Sequence, residues 1–292
     1  MEIINRRKRM MSVARRLRRE ENRTIGLVPT MGALHEGHLS LIHGARALCD
    51  VVVVSVFVNP TQFGPNEDFA AYPRDLTRDS ALLAEYNVDY VLAPTSEEIY
   101  PPGFSTYVTV EGLSDKLEGA ARPGHFRGVC TVVSILLNIV RPNFAFFGQK
   151  DAQQSIVIKQ MVRDLGLDAE IVVLPIVREE SGLAMSSRNA YLDDPERRAA
   201  TVLNRALSQA RAAYDEGEHN AARLLELVRS TIETESLARI DYVSLNDAET
   251  LAKLDKIGDR PALLSLAVFF GKTRLIDNVI LGSERNAVSA IA

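Results

Sequence analysis

The chain has 292 residues, of which 46% are hydrophobic and 25% charged, and its formal net charge is −4. This is ordinary globular composition with enough apolar material for a substantial core, and the acidic balance speaks against a dedicated nucleic-acid-binding protein. Its length exceeds one typical domain. Cys49 and Cys130 lie in apolar surroundings outside any Cys-x-x-Cys pattern, so a disulfide scaffold and a cysteine zinc site are both unsupported.

In chain order, the first feature is a basic run carrying Arg6, Arg7, Lys8, Arg9, Arg15, Arg16, Arg18 and Arg19. It reads either as a nucleic-acid or membrane patch, or as the solvated face of an amphipathic helix with Met11, Ala14 and Leu17 on the buried side. The acidic remainder would oppose a polyanion, which favours the helix. The run lacks an apolar core segment and contains Glu2, Glu20 and Glu21, so it does not read as a secretion signal.

TIGLVPT (24–30) reads as a strand, and HLSLIHGARALCD (38–50) as a helix with Leu39, Ile42, Ala45 and Leu48 on one face. VVVVSVFV (51–58) is a continuous β-branched run, as in a strand covered on both faces, and is far too short to span a membrane. The cytoplasm is the simplest location. A helix is predicted around 75–86, a strand at 89–95, a helix over 129–140, a strand at 144–148, a helix over 151–165 and a strand at 169–177. This alternation implies an α/β fold with a doubly wound parallel sheet, in which ligands bind beyond the carboxyl ends of strands at a topological switch point. After about Asn189 the texture becomes charged and alanine-rich through 195–236, followed by strand patterns at 241–246, 262–270 and 273–281. The expected division is a Rossmann-like domain over 1–188 and a smaller α+β domain over 189–292.

PTMGALHEGHLSLI (29–42) carries the strongest chemical signal. Gly32 permits a close turn after a strand, and His35 and His38 flank Glu36-Gly37 at a helix start, where free N–H groups and a partial positive charge suit a phosphate. Two imidazoles at that edge would stabilise charge on a leaving pyrophosphate. A helix cap with incidental histidines is the plainer reading. A zinc pair normally uses the i, i+4 spacing, so no metal site is expected here. GQKD (148–151) follows another strand: Gly148 gives backbone access, Lys150 a point charge, and Asp151 a helix cap or a polar partner for a ribose or metal-bound water. Taken alone, the segment favours an ordinary strand–cap–helix unit. MSSRN (185–189) offers two hydroxyls and a guanidinium suited to phosphate oxygens, or a polar hinge.

His-x-Gly-His after a first strand resembles the nucleotidyltransferase superfamily, which includes class I aminoacyl-tRNA synthetases. The longer PTMGALHEGH resembles one member family, the pantoate–β-alanine ligases, and so do FVNPTQFGPNEDFAAYPR (57–74), RPGHFRGVCTVV (122–133), FFGQKDAQQ (146–154), GLAMSSRNAYL (182–192) and FGKTRLIDN (270–278). The resemblance implies that ATP is bound by Met31, Gly32, Ala33, Leu34, His35, Glu36, Gly37, His38, Gly148, Gln149, Lys150, Asp151, Val177, Met185, Ser186, Ser187 and Arg188. It implies that Gln62 and Gln154 hold pantoate; Asn59 and Tyr72 are candidates to line the same pocket, and Arg122 and His125 either complete it or belong to a structural loop. His35, His38, Lys150 and Arg188 are the implied catalytic residues.

The activity so implied joins pantoate to β-alanine through a pantoyl adenylate, releasing AMP and pyrophosphate, with Mg²⁺ accompanying ATP. A cytoplasmic homodimer with no nucleic-acid or membrane partner is expected. The alternatives are an adenylyltransferase acting on a cofactor phosphate, and a non-catalytic synthetase-like nucleic-acid-binding protein. Ser134 and Ser181 depart from the family pattern, which expects lysine and aspartate there, and leave local packing open.

Overall fold

In the computed structural model, which describes residues 1–65 and 67–282, a short strand, β1 (Glu2–Ile4), precedes the basic run, and the run folds as a helix, α1 (Arg7–Arg19). Met10, Val13, Ala14 and Leu17 fill the buried side of α1, whereas Met11 is 38% exposed and does not belong to it. The expected Met11-Ala14-Leu17 series drifts by about 60° at each step of three, while the observed i, i+3, i+4, i+7 stripe stays within one face. The arginines of the run are tied to neighbouring parts of the chain: Arg6 to Glu98, Arg16 to Glu21 and Tyr90, and Arg18 to Asp168 and the Arg141 carbonyl.

The next elements alternate as expected. They are β2 (Ile25–Thr30), α2 (Glu36–Leu48), β3 (Val51–Val56), α3 (Leu76–Glu85) and β4 (Tyr90–Leu92). The short helices α4 (Ser96–Ile99) and α5 (Glu118–Ala121) precede α6 (His125–Val140), β5 (Phe144–Gly148), α7 (Ala152–Asp164) and β6 (Glu170–Leu174). Along the central strands, alternate residues enter opposite cores. Leu27, Val53, Ala145 and Phe147 pack with α1, α6 and α7, while Val28, Val52, Val54 and Phe146 pack with α2 and α3. A strand covered on both faces has no need of polar residues, which is why 51–54 is an unbroken valine run. Cys49 and Cys130 are buried in these cores as free thiols, and burial pushes them up to about 11 and about 12 respectively. Leu48, expected on the buried face of α2, is exposed instead.

The six strands are parallel, in the order β1-β4-β3-β2-β5-β6. From β2 the chain winds one way through β3 to β4, and from β5 the other way to β6. The switch point therefore lies at the carboxyl ends of β2 and β5, at Thr30 and Gly148, where such sheets bind ligands.

The remaining elements are α8 (Asp194–Ala199), α9 (Val202–Asp215), α10 (Ala221–Glu233), β7 (Ala238–Asp247), β8 (Ala262–Phe270) and β9 (Thr273–Leu281). The three strands form an antiparallel sheet, β7-β8-β9, and share a separate core with these helices. Contacts divide the described residues into one unit of 1–148 and 153–175 and another of 149–152 and 176–282. The second unit thus begins ahead of the 188/189 boundary expected from texture. The reason is local bonding: Arg178 pairs with Asp277, Leu183 enters the core of the second unit, and Asn189 bonds Glu179. Residues 283–292 of the expected C-terminal domain lie outside the described residues.

Candidate active site

In the first unit, the chain leaves β2 through Thr30, whose hydroxyl donates to the Ser55 carbonyl at 2.7 Å and accepts the Gly32 N–H at 3.2 Å. Gly32 and Ala33 are both left-handed, with φ of 82° and 50°. A Cβ at Gly32 would stand 2.9 Å from Asp79 Oδ2, so the turn requires glycine on space as well as conformation. Asp79, 1% exposed on α3, accepts the N–H groups of Ala33 at 2.9 Å and Leu34 at 3.0 Å. Those two N–H groups are thereby committed to the protein. Asp79 carries no motif in the sequence and was not anticipated.

His35 caps α2, its Nδ1 accepting the Gly37 N–H at 3.1 Å, which puts any hydrogen of the neutral ring on Nε2. The His38 ring lies beside it, with centroids 4.1 Å apart and the planes tilted by 36°. Both imidazoles therefore stand together at the start of a helix that follows the switch-point strand.

The polar loop after β3 is built on Asn59, which is fully buried. Its Nδ2 donates to Gln62 Oε1 at 3.0 Å and to the Gly128 carbonyl at 3.1 Å, and its Oδ1 accepts from the Tyr100 hydroxyl at 2.7 Å. Both ends of the amide face protein, so Asn59 shapes the loop. Helix α6 crosses at Gly128, where a Cβ would stand 2.3 Å from the Thr61 carbonyl oxygen. Gln62 Nε2 points at Met31 Sδ, 3.2 Å away and only a weak acceptor. With Oε1 held by Asn59, Nε2 is the end of Gln62 able to donate to an acid.

His125 Nδ1 lies 2.8 Å from the Gln62 carbonyl, which only accepts, so Nδ1 carries the hydrogen. Nε2 then accepts from Arg122 at 3.2 Å. Glu67 receives the Arg122 fork through bonds of 2.8 and 2.5 Å. Burial above all, then the Arg122 charge, brings His125 down to about 4, against the Gln62 bond and the Glu67 and Glu118 charges. Burial raises the Glu67 carboxyl, but its bonds and charge interaction with Arg122 outweigh that and hold it below its ordinary value. Tyr72 is buried edge-on to Phe63. Gln153 is tied internally to the Glu118 N–H and to the Leu113 and Lys116 carbonyls, whereas Gln154 is half-buried and bonds none of the described side chains.

In the second unit, Gln149–Asp151 form a 3-10 turn with Lys150 Nζ 3.8 Å from Asp151 Oδ1. The Met185 N–H donates to the Val177 carbonyl at 2.9 Å, which joins those two expected nucleotide segments. Ser186 caps the turn Ser187–Tyr191 by accepting the Arg188 N–H at 3.3 Å. Ser181 Oγ accepts the Leu183 N–H at 3.4 Å, a local role that needs no aspartate. Among the described residues, no three His, Cys, Asp or Glu side chains gather into a group suited to a metal ion.

The structure thus brings Met31, Asn59, Gln62, Arg122 and His125 together in the first unit, and Val177 with Met185 in the second. Asp79 and Arg178 lie outside every motif segment, while Glu67 and Asp277 lie inside two of them without a role assigned there.

A family model described as pantoate-β-alanine ligase matches residues 2–280. The chain is 58% identical to the pantothenate synthetase of Pelotomaculum thermopropionicum over 264 residues, 90% of this chain and 93% of that one. The crystal structure of pantothenate synthetase from Thermus thermophilus superposes with a TM-score of 0.89 at 46% identity, over 96% of this chain and 99% of that one. The pantoate-β-alanine ligase of Francisella tularensis, solved with β-γ ATP and β-alanine, gives a TM-score of 0.79 at 37% identity, covering 97% and 99%. Matches of this extent favour neither a cofactor adenylyltransferase nor a non-catalytic nucleic-acid binder. The chain belongs to the pantoate–β-alanine ligase family.

Proposed function

We propose how the residues of this chain divide the work of its family's reaction, in which pantoate and β-alanine are condensed to pantothenate with ATP. The observation that carries the reading is Gln62, whose amide touches Met31 of the histidine loop at one end and Asn59 at the other. A carboxylate held by Gln62 would stand beside the loop that receives the nucleotide. Pantoate therefore attacks the α-phosphorus of ATP, pyrophosphate leaves, and the amine of β-alanine then attacks the acyl adenylate to release AMP.

Residues 31–38, Gly148–Asp151, Val177 and 185–188 bind ATP, with His35, His38, Lys150 and Arg188 stabilising charge that grows on the phosphates. Because Asp79 holds the Ala33 and Leu34 N–H groups, the histidines and the α2 N-terminus supply the donors of this loop. Gln62 and Gln154 hold pantoate, and Asn59, Tyr72, Arg122 and His125 shape its pocket. His125 is an orienting group and not a proton carrier, since its Nδ1–H is fixed on the Gln62 carbonyl.

Mg²⁺ accompanies ATP. The donors present fit an ion held mainly by phosphate oxygens and water, with Asp151, half of whose side chain is exposed, available to one of those waters. No helix among the described residues is long and apolar enough to cross a membrane; we read the protein as a cytoplasmic homodimer.

The test is His38→Ala. Loss of one preorganised donor lowers kcat by about 10²–10³-fold with little change in the KM for ATP. Wild-type turnover in a variant that melts normally would remove the catalytic role.

A further inference from the structure

Strand β9 buries two polar residues in succession, Asp277 at 2% exposure and Asn278 at 4%. Buried polar groups persist where partners satisfy them, and here the partners lie in the nucleotide segments. Asp277 receives Arg178, the residue after Val177, through bonds of 2.7 and 3.0 Å. Asn278 Nδ2 donates to the carbonyls of Gln149 and Lys150, both at 3.0 Å, and its oxygen accepts from the Gln149 side chain at 3.4 Å.

The two carbonyls belong to the peptide planes on either side of the Lys150 Cα. Fixing both planes fixes the backbone of Lys150, and with it the direction in which its side chain leaves. Both peptides are trans, so the N–H groups of Lys150 and Asp151 point away from Asn278. The clamp therefore sets the carbonyl face of the turn against β9 and turns its N–H face the other way.

We infer that Asn278 is a positioning residue for Lys150, holding the turn Gln149–Asp151 in the conformation that delivers the ammonium group to the phosphates of ATP. The inference rests on the assignment of Lys150 to those phosphates. It gives a purpose to the Asp277-Asn278 pair in the FGKTRLIDN segment, whose resemblance to the family carried no role. A residue that only stabilised the antiparallel sheet would act independently of Lys150. A positioning residue acts through it, and a double-mutant cycle separates the two.

The experiment is pantoate-dependent exchange of pyrophosphate into ATP, measured on Asn278→Ala, Lys150→Ala and the double variant, with thermal melting of each. Asn278→Ala is expected to lower exchange about tenfold or more, leaving the KM for pantoate within about twofold, and to cost less than about twofold once Lys150 is alanine. Asn278→Asp keeps the size of the side chain but sets an acceptor against two carbonyls, so it should show the same coupling and replaces the alanine variant should that fail to fold. Equal losses in both backgrounds, or full exchange in folded Asn278→Ala, would overturn the inference while leaving Lys150 in its role. Full exchange in Lys150→Ala would overturn both.

Discussion

Asp79 offers the sharpest test of how the histidine loop is held. Its carboxylate is 1% exposed and accepts two backbone N–H groups, from Ala33 at 2.9 Å and Leu34 at 3.0 Å. Asp79→Ala leaves the buried Leu34 donor and the half-buried Ala33 donor unmatched, at about 1–3 kcal/mol each, so a loss of about 2–6 kcal/mol is expected. Asp79→Asn retains one accepting oxygen but turns an NH₂ group towards the other donor, and should lose about 2–3 kcal/mol. Ala33 is left-handed at φ 50°. Replacing it by glycine relieves about 1 kcal/mol of that backbone cost, so Ala33→Gly should recover part of the Asp79→Asn loss. Urea denaturation gives the stabilities, and steady-state kinetics should show the KM for ATP rising more than that for pantoate. An Asp79→Asn protein as stable as wild type would refute the argument, as would one in which both KM values rise equally.

Acid should weaken the fold through His125. Its folded value is about 4 against an ordinary 6.5, so the unfolded chain takes the proton first as pH falls. The contribution is complete above the unfolded value and is lost on acidification towards the folded one, to a total of about 3 kcal/mol. The lowered Glu67 carboxyl acts in the same direction, its contribution being lost as pH falls through its own range. Urea melts between about pH 7 and about pH 4.5 check this; a His125→Asn variant should show a flatter dependence, and one as steep as wild type would contradict it. In the proposed pantoate pocket, Gln62→Ala and Gln154→Ala should each lose about 1–3 kcal/mol of pantoate binding, read as a raised KM with ATP affinity little changed. Unaltered pantoate kinetics in both would show that the acid binds elsewhere.

The parallel sheet was legible because its strands carry the signals that both-face burial imposes. Val51 to Val54 could hardly be anything else, and the histidine loop announces itself by Gly32, His35, Gly37 and His38 within one short stretch. The residues that hold the site were not legible for a physical reason: they act at a distance along the chain. Asp79 is 46 residues from Ala33, Glu67 is 55 from Arg122, and Asp277 is 99 from Arg178. Each sits in a helix, loop or strand whose own pattern is ordinary, and only folding shows that the partner is a backbone N–H or a guanidinium. Asn59 and Gln153 make the converse point. Their amides look available in sequence, yet the structure turns both of them inward, while Gln154, one position on, is left half-buried. The Met11 and Leu48 errors have a simpler origin, since an apolar residue at the margin of a helical stripe does not reveal by type which side of the margin it occupies.

In the proposed reaction the acid is activated on ATP before the amine takes part. The direct measurement is exchange of labelled pyrophosphate into ATP by the wild-type protein with pantoate present and β-alanine omitted, followed by identification of the nucleotide released when β-alanine is added. Exchange should depend on pantoate alone, and AMP should then be the nucleotide released. Exchange that requires β-alanine, or release of ADP, would contradict it.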